Sequence, residues 1–433
     1  MEQYEMKRAE NLLEIVNTMQ PEPLDETTLP IFYYDNTMPI RMGHDNRSPI
    51  DDLFEDCTML KNSKAYLLSG HRACGKSTEL FNLKRRLEAV GQPTYIIRSS
   101  LEMNLSKAEC WDIMLFIIEG LCHIADRNGI KLPKATLKAV FDYIKKDIEV
   151  IESKEYASEA EIGAVFNLFA SIKANLRVGT QARTNIQEKF ERRASEWLLY
   201  VNEISDIITS GMNYKRPVLI FEDLDKLQPN KRALDIFQYD ILASLPFPVI
   251  YTFPISLTYD PKFAYLESFF KVSVLPMIKV TNVDKGENGD GIEVLRKIVG
   301  LRADMNLFES EALTELIKQT GGVLRHLFEC IITASRLATR RGADRIELED
   351  AKWALSDLST TLRKVIDMKD NETLRNIFID PKYRKQIENR ELLSDQMLAL
   401  VVLEYQNGDR WHDLHPQIAQ FLKEQGVLNG ENR

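Results

Sequence analysis

The apolar positions of this chain fall into two rhythms. Five short apolar runs lie at 65–69 (AYLLS), 93–100 (PTYIIRSS), 217–227 (PVLIFEDLDKL), 247–254 (FPVIYTFP) and 271–280 (KVSVLPMIKV). They do not alternate with polar residues, so they predict strands buried on both faces. Between them apolar residues recur at helical spacing, as in ELFNLKRRLEAV at 79–90. Strands separated by helical segments predict an α/β fold with a parallel sheet covered on both faces. From about 107 to 210 the pattern is helical throughout, which predicts a large helical insertion between the second strand and the third. One amphipathic helix opens the chain, and the proline-punctuated stretch 21–49 reads as an extended linker. Near the other end, 392–403 fits strand or helix, and EYQNGDRW carries the Asn-Gly signal of a hairpin.

At 433 residues there is room for two or three domains, and 44% apolar composition supports large cores. The net charge of −9 argues against a chain that coats nucleic acid nonspecifically, a mode that needs many cations to neutralise phosphates. Five scattered cysteines without CxxC spacing indicate neither a disulfide framework nor a zinc site and suit a reducing cytosol. The opening residues are charged and helix-like, without the apolar centre of a signal peptide, and no apolar run approaches bilayer length. The expectation is a soluble cytoplasmic protein with no membrane partner.

The run at 65–69 leads into GHRACGKST, with the spacing G-x-x-x-x-G-K-[ST] between a strand and a helix. This is the phosphate-binding P-loop. Glycine lets backbone N–H groups turn inward around a phosphate, and the helix N-terminus adds its positive end. Gly70, His71, Arg72, Ala73, Cys74, Gly75, Lys76, Ser77 and Thr78 are therefore the candidate ATP-binding residues. Lys76 reaches the terminal phosphates and Ser77 ligates magnesium.

A nucleotide hydrolase also needs acids at the end of a buried strand, and VLIFEDLD supplies them. Counted from the last apolar strand residue, Glu222 takes the magnesium position and Asp223 the water-polarising one; a shift by one makes Asp223 the magnesium residue. Thr252 ends the following strand, where it either senses the terminal phosphate or is an ordinary strand threonine. In QTGGVLRHLF, Arg325 follows Gly321 and Gly322 on the first turn of a helix. It either reaches back to the phosphate or is a solvated charge. His412 and His415 in WHDLHP have no cysteine nearby, so magnesium is the only metal expected.

GHRACGKST, VLIFEDLD, the strand ending in Thr252 and GGVLRHL, in this order, resemble the AAA+ and STAND P-loop ATPases over roughly 40–358, especially the origin-recognition-like branch. The resemblance implies an αβα ATPase core at 41–280, a helical lid at 281–360 and a C-terminal winged-helix-like domain at 361–433, after an N-terminal helix and linker at 1–40. It also implies Thr252 as sensor 1 and Arg325 as sensor 2. Glu-Asp here reverses the family's usual Asp-Glu, which puts the rate of hydrolysis in question. Arg192, Arg193, Arg232 and Arg302 are candidates for an arginine finger, each weighed against a plain surface charge.

Two functions follow as expectations. The first is an ATP-binding and ATP-hydrolysing switch that controls a separate protein effector or sensor and forms an ATP-dependent homo-oligomer; STAND-like relatives with separate effectors suggest anti-phage defence. The second is a DNA-binding initiator or transposition regulator using the winged helix. Residues 361–433 carry eleven cations against twelve acids, a poor balance for gripping DNA, which ranks this reading second.

Overall fold

The computed structural model describes residues 7–43, 48–59, 64–147, five positions between 163 and 170, and 193–428. Its centre is a five-stranded sheet of β1 (Ala65–Gly70), β2 (Thr94–Arg98), β3 (Val218–Glu222), β4 (Val249–Pro254) and β5 (Lys271–Val274). The order is β2-β3-β4-β1-β5 and every pairing is parallel. The apolar run at 271–280 therefore yields a strand only over its first four residues. The remainder continues as buried extended chain past the P-loop, with Leu275, Met277 and Ile278 almost wholly enclosed.

Helices cover both faces, giving the αβα architecture that non-alternating strands require. The N-terminal part supplies α1 (Leu12–Thr18), α2 (Leu29–Phe32), α3 (Met38–Met42) and α4 (Pro49–Met59). Next come α5 (Lys76–Ala89), directly after the P-loop, and the short α6 (Ser99–Glu102). The insertion contains α7 (Cys110–Arg127), α8 (Lys134–Asp147) and α9 (Ala194–Gly211); Arg192 lies outside the described residues. One sheet face buries Leu67, Leu219 and Tyr251 against α7 and α9, through residues such as Ile117, Leu121, Trp197 and Val201. Gly120 of α7 allows this close approach, since a Cβ there would stand 2.9 Å from a Leu219 methyl.

The opposite face buries Tyr66, Leu68 and Ile220 against Leu80, Leu83 and Leu87 of α5. Leu403, Tyr405 and Trp411 complete this cluster from the far end of the chain. They belong to the antiparallel hairpin β6 (Val402–Asn407) and β7 (Asp409–Leu414), turned at Gly408 with φ +76°. The Asn-Gly signal is realised there. The ambiguous stretch 392–403 is mostly helix before it becomes β6.

After α10 (Arg232–Phe237) and α11 (Phe263–Leu266) beside the sheet, a separate helical layer packs beside the β1–α5 loop, with Leu324 close to Gly75. It comprises α12 (Gly289–Arg302), α13 (Ser310–Gln319), α14 (Leu324–Arg341) and α15 (Leu348–Leu362), and α1 docks onto it. The C-terminal module is α16 (Asn371–Ile379), α17 (Arg390–Leu398), the hairpin and α18 (Pro416–Glu424). Among the described residues no helix is long and apolar enough to cross a membrane.

Candidate functional site

The loop between β1 and α5 has the backbone of a P-loop. Gly75 caps α5 at φ +99°, a conformation side chains rarely allow, and Ala73 also has positive φ. The lysine is drawn back against the loop. Lys76 Nζ donates to Gly70 O at 2.8 Å and His71 O at 2.9 Å, and pairs with Asp225 Oδ2 at 2.9 Å. Both partners are buried. Burial opposes the charge on each, and the pairing prevails, so Lys76 titrates above its ordinary value and Asp225 below.

A cavity of about 300 Å³ opens in front of the loop. It is lined by Arg72, Lys76, Ser77, Thr78, Asp223 and Asp225. The same cavity is also lined by Pro21, Leu24, Phe32, Tyr34, Ile298 and Phe328, with Arg302 beside the two phenylalanine rings. A cavity that combines apolar and aromatic groups with a cationic loop has the character of a nucleotide site. The described part of the stretch expected as linker, 21–43, instead carries α2 and α3 and forms one wall. Leu24 N donates to Thr78 Oγ1 at 3.2 Å and Tyr33 OH to Glu79 at 2.8 Å. Proline spacing signals turns but not what they pack upon, so this wall was not legible.

The acids sit where β3 ends. Glu222 is 1% exposed, and neither carboxylate oxygen has a hydrogen bond. Burial first, then Asp223, pushes its pKa up, against the nearby Ser77 hydroxyl and Arg98. A buried carboxylate without a hydrogen bond, 3.6 Å from Arg98 and beside a P-loop serine, fits a magnesium site. Asp223 has φ +69°; it accepts from Ser100 Oγ, pairs with Lys226 and lines the cavity. Asp225, to which the sequence pattern assigned no role, holds the P-loop lysine.

Thr252 does not line the cavity. Its hydroxyl accepts from Leu224 N at 2.9 Å and donates to Phe221 O at 3.2 Å, tying β4 to the turn that carries the acids. Arg325 is exposed, lines the cavity and occupies the first turn of α14. A helix dipole disfavours a cation there, which fits a charge placed for an anion. The other P-loop positions divide. Ala73 and Gly75 line the cavity, Gly70 and His71 turn carbonyls to Lys76, and Cys74 O accepts from Arg41 Nη2 at 2.9 Å. Arg41, buried beneath the loop, carried no sequence signal.

The finger candidates that are described have local partners. Arg302 is buried, donates to Phe32 O at 3.2 Å and lies over the Phe328 ring, so it is not a surface charge. Arg193 binds Glu196, and Arg232 donates to Ala108 O.

The C-terminal hairpin touches both nucleotide-facing elements. His71 Nε2 accepts from Glu404 N at 2.7 Å. Tyr405 OH donates to Gly321 O at 2.7 Å, in the turn before α14. His415 Nδ1 accepts from Gln417 N, so its Nε2 donates to His326 Nδ1, 3.1 Å away on α14. His412 Nε2 lies 3.6 Å from the buried Glu404 carboxylate. The two histidines of WHDLHP thus serve packing, and among the described residues no cluster suited to a metal ion involves them.

No family model matches the chain, and no curated protein matches it. Solved structures similar to it include Cdc6p from Pyrobaculum aerophilum, 13% identical, covering 94% of this chain and 99% of that one, with a TM-score of 0.39. The Aeropyrum pernix ORC2 protein in ADPNP–ADP complexes is 11% identical, covering 94% and 98%, with a TM-score of 0.44. The RuvB Holliday junction branch migration motor of Thermotoga maritima is 12% identical, covering 88% and 95%, with a TM-score of 0.33. At these values the likeness carries no argument about activity or partners, which rest on the geometry of this chain. That geometry is an αβα P-loop core with a helical layer over its phosphate loop.

Proposed function

We propose that this protein is an ATP-driven switch: it binds ATP with magnesium, hydrolyses it, and passes its nucleotide state to the C-terminal module and a separate protein partner. The observation that carries this reading is one cavity lined both by apolar groups such as Leu24, Phe32 and Phe328 and by Lys76, Ser77, Asp223 and Arg325. Ser77 and Glu222 would hold magnesium, which supplies charge neutralisation at the phosphates when bound. Lys76 exchanges Asp225 for the terminal phosphates, Asp223 orients the attacking water, and Arg325 brings α14 over the phosphate from the lid. Thr252 acts through the backbone of the acidic turn rather than on the phosphate.

A nucleotide that moves the P-loop or Arg325 acts directly on the hairpin, because His71 and Gly321 are its hydrogen-bond partners. Self-association with ATP and a role in anti-phage defence are the finer parts of this reading, the first read out by light scattering in apo and ATP-analogue states. Duplex DNA is the weaker output. At the hairpin tip Lys385 pairs with Asp409 at 2.7 Å and Arg410 lies 3.8 Å from Glu404, so both cations already face acids.

The test is calorimetry of the full chain with ATP and magnesium. Lys76→Ala removes the ammonium that meets the phosphates and should abolish measurable binding. Unchanged affinity would refute the nucleotide site.

A further inference from the structure

Six cations line the cavity: Arg41, Arg72, Lys76, Lys226, Arg302 and Arg325. Four are already engaged. Arg41 donates to Cys74 O, Lys76 is held by Asp225, Lys226 pairs with Asp223, and Arg302 donates to Phe32 O over an aromatic ring. Arg325 is exposed on the lid. Arg72 differs from all of these: its Nε and Nη2 are buried and have no hydrogen-bond partner. The side chain as a whole is half-buried, but two buried donors with no acceptor are costly, and the neighbouring helix N-terminus and Lys76 add like charge. Such a group is stable where an anion completes it.

We propose that Arg72 recognises the terminal phosphate of a bound nucleoside triphosphate, so that the P-loop itself supplies a cation separating triphosphate from diphosphate. This rests on the nucleotide reading above. Its place in the loop supports the assignment. Arg72 lines the cavity and lies near enough to Lys76 and Asp225 for its charge to act on both. The planar guanidinium fork matches a phosphate with two parallel N–H donors, which a lysine does not reproduce. A cation supplied in cis gives the site a terminal-phosphate contact without a neighbouring subunit.

The experiment measures calorimetric affinities of the full-chain protein, Arg72→Gln and Arg72→Lys for magnesium-ADP and a non-hydrolysable magnesium-ATP analogue. Arg72→Gln should weaken the ATP analogue about 10- to 100-fold, as for loss of hydrogen bonds to a charged group, and leave ADP within about 3-fold. Arg72→Lys should recover part of the loss, because it restores charge without the fork, and it also serves if the glutamine variant folds poorly. Equal losses for both ligands, or no loss for either, would overturn the assignment while the nucleotide site stands. A wild-type protein that binds neither ligand would overturn both.

Discussion

Asp225→Asn isolates the internal ion pair of the P-loop. Lys76 is buried and its ammonium has three acceptors: Gly70 O, His71 O and the Asp225 carboxylate. Removing one partner of a buried pair costs roughly 3–5 kcal/mol, because the remaining charge is stranded. Here the asparagine oxygen and two carbonyls persist, so the cost falls at the lower end, about 3 kcal/mol in the nucleotide-free protein. With nucleotide bound, phosphates provide the missing anion and Asp225 is a like charge facing them; the bound state should lose only about 1 kcal/mol. Linkage then requires the variant to bind nucleotide more tightly by about 2 kcal/mol, roughly 30-fold. Urea unfolding with and without a saturating magnesium-ATP analogue reads the two stabilities, and calorimetry reads the affinity. A variant as stable as wild type without nucleotide would refute the stranded-charge argument. Weaker nucleotide binding would show that Asp225 serves the bound state instead.

Glu222→Gln should raise the magnesium concentration needed for nucleotide binding, whereas Asp223→Asn should retain binding and lose about 10²- to 10⁴-fold in turnover; exchanged phenotypes in a magnesium titration and a phosphate-release assay would move the register by one. Burial lowers the pKa of His71 to about 4, of His326 to about 4, and of His415 well below its usual value. These imidazoles stay neutral in the fold while the unfolded chain takes up protons below about pH 6.5, so stability falls as pH drops from there towards 4. At pH 5.5 the loss is about 1.4 kcal/mol per histidine, roughly 4 kcal/mol together, and equal urea midpoints at pH 7 and 5.5 would contradict it. Glu222 and Glu79, raised by burial, work the other way near the bottom of that window. The full chain with ATP should bind duplex DNA weakly; tight, steeply salt-dependent binding in an anisotropy titration would promote the initiator reading.

The sequence by itself determined the parallel sheet, the P-loop between β1 and α5, and the acids at the end of β3. Each depends on residues close together in the chain: an unbroken apolar run, glycines at fixed offsets, a carboxylate after the last buried strand position. Gly75, Lys76 and Ser77 are legible because one turn of backbone places all three. The tertiary structure decided the rest. The stretch 21–49 read as linker, yet apolar groups within it, Pro21, Leu24, Phe32 and Tyr34, wall the cavity, since prolines mark where a chain bends and not the surface it then meets. Asp225 became the partner of Lys76, and Arg72 the unpaired cation, only when β3 was set within reach of the P-loop. The Asn-Gly signal placed a hairpin at EYQNGDRW, but only folding put Tyr405 and Trp411 on the same sheet face as α5. Local pattern fixes which backbone conformation each segment prefers. Which side chains are desolvated together depends on contacts between residues as distant as His71 and Glu404, and no short window of sequence encodes those.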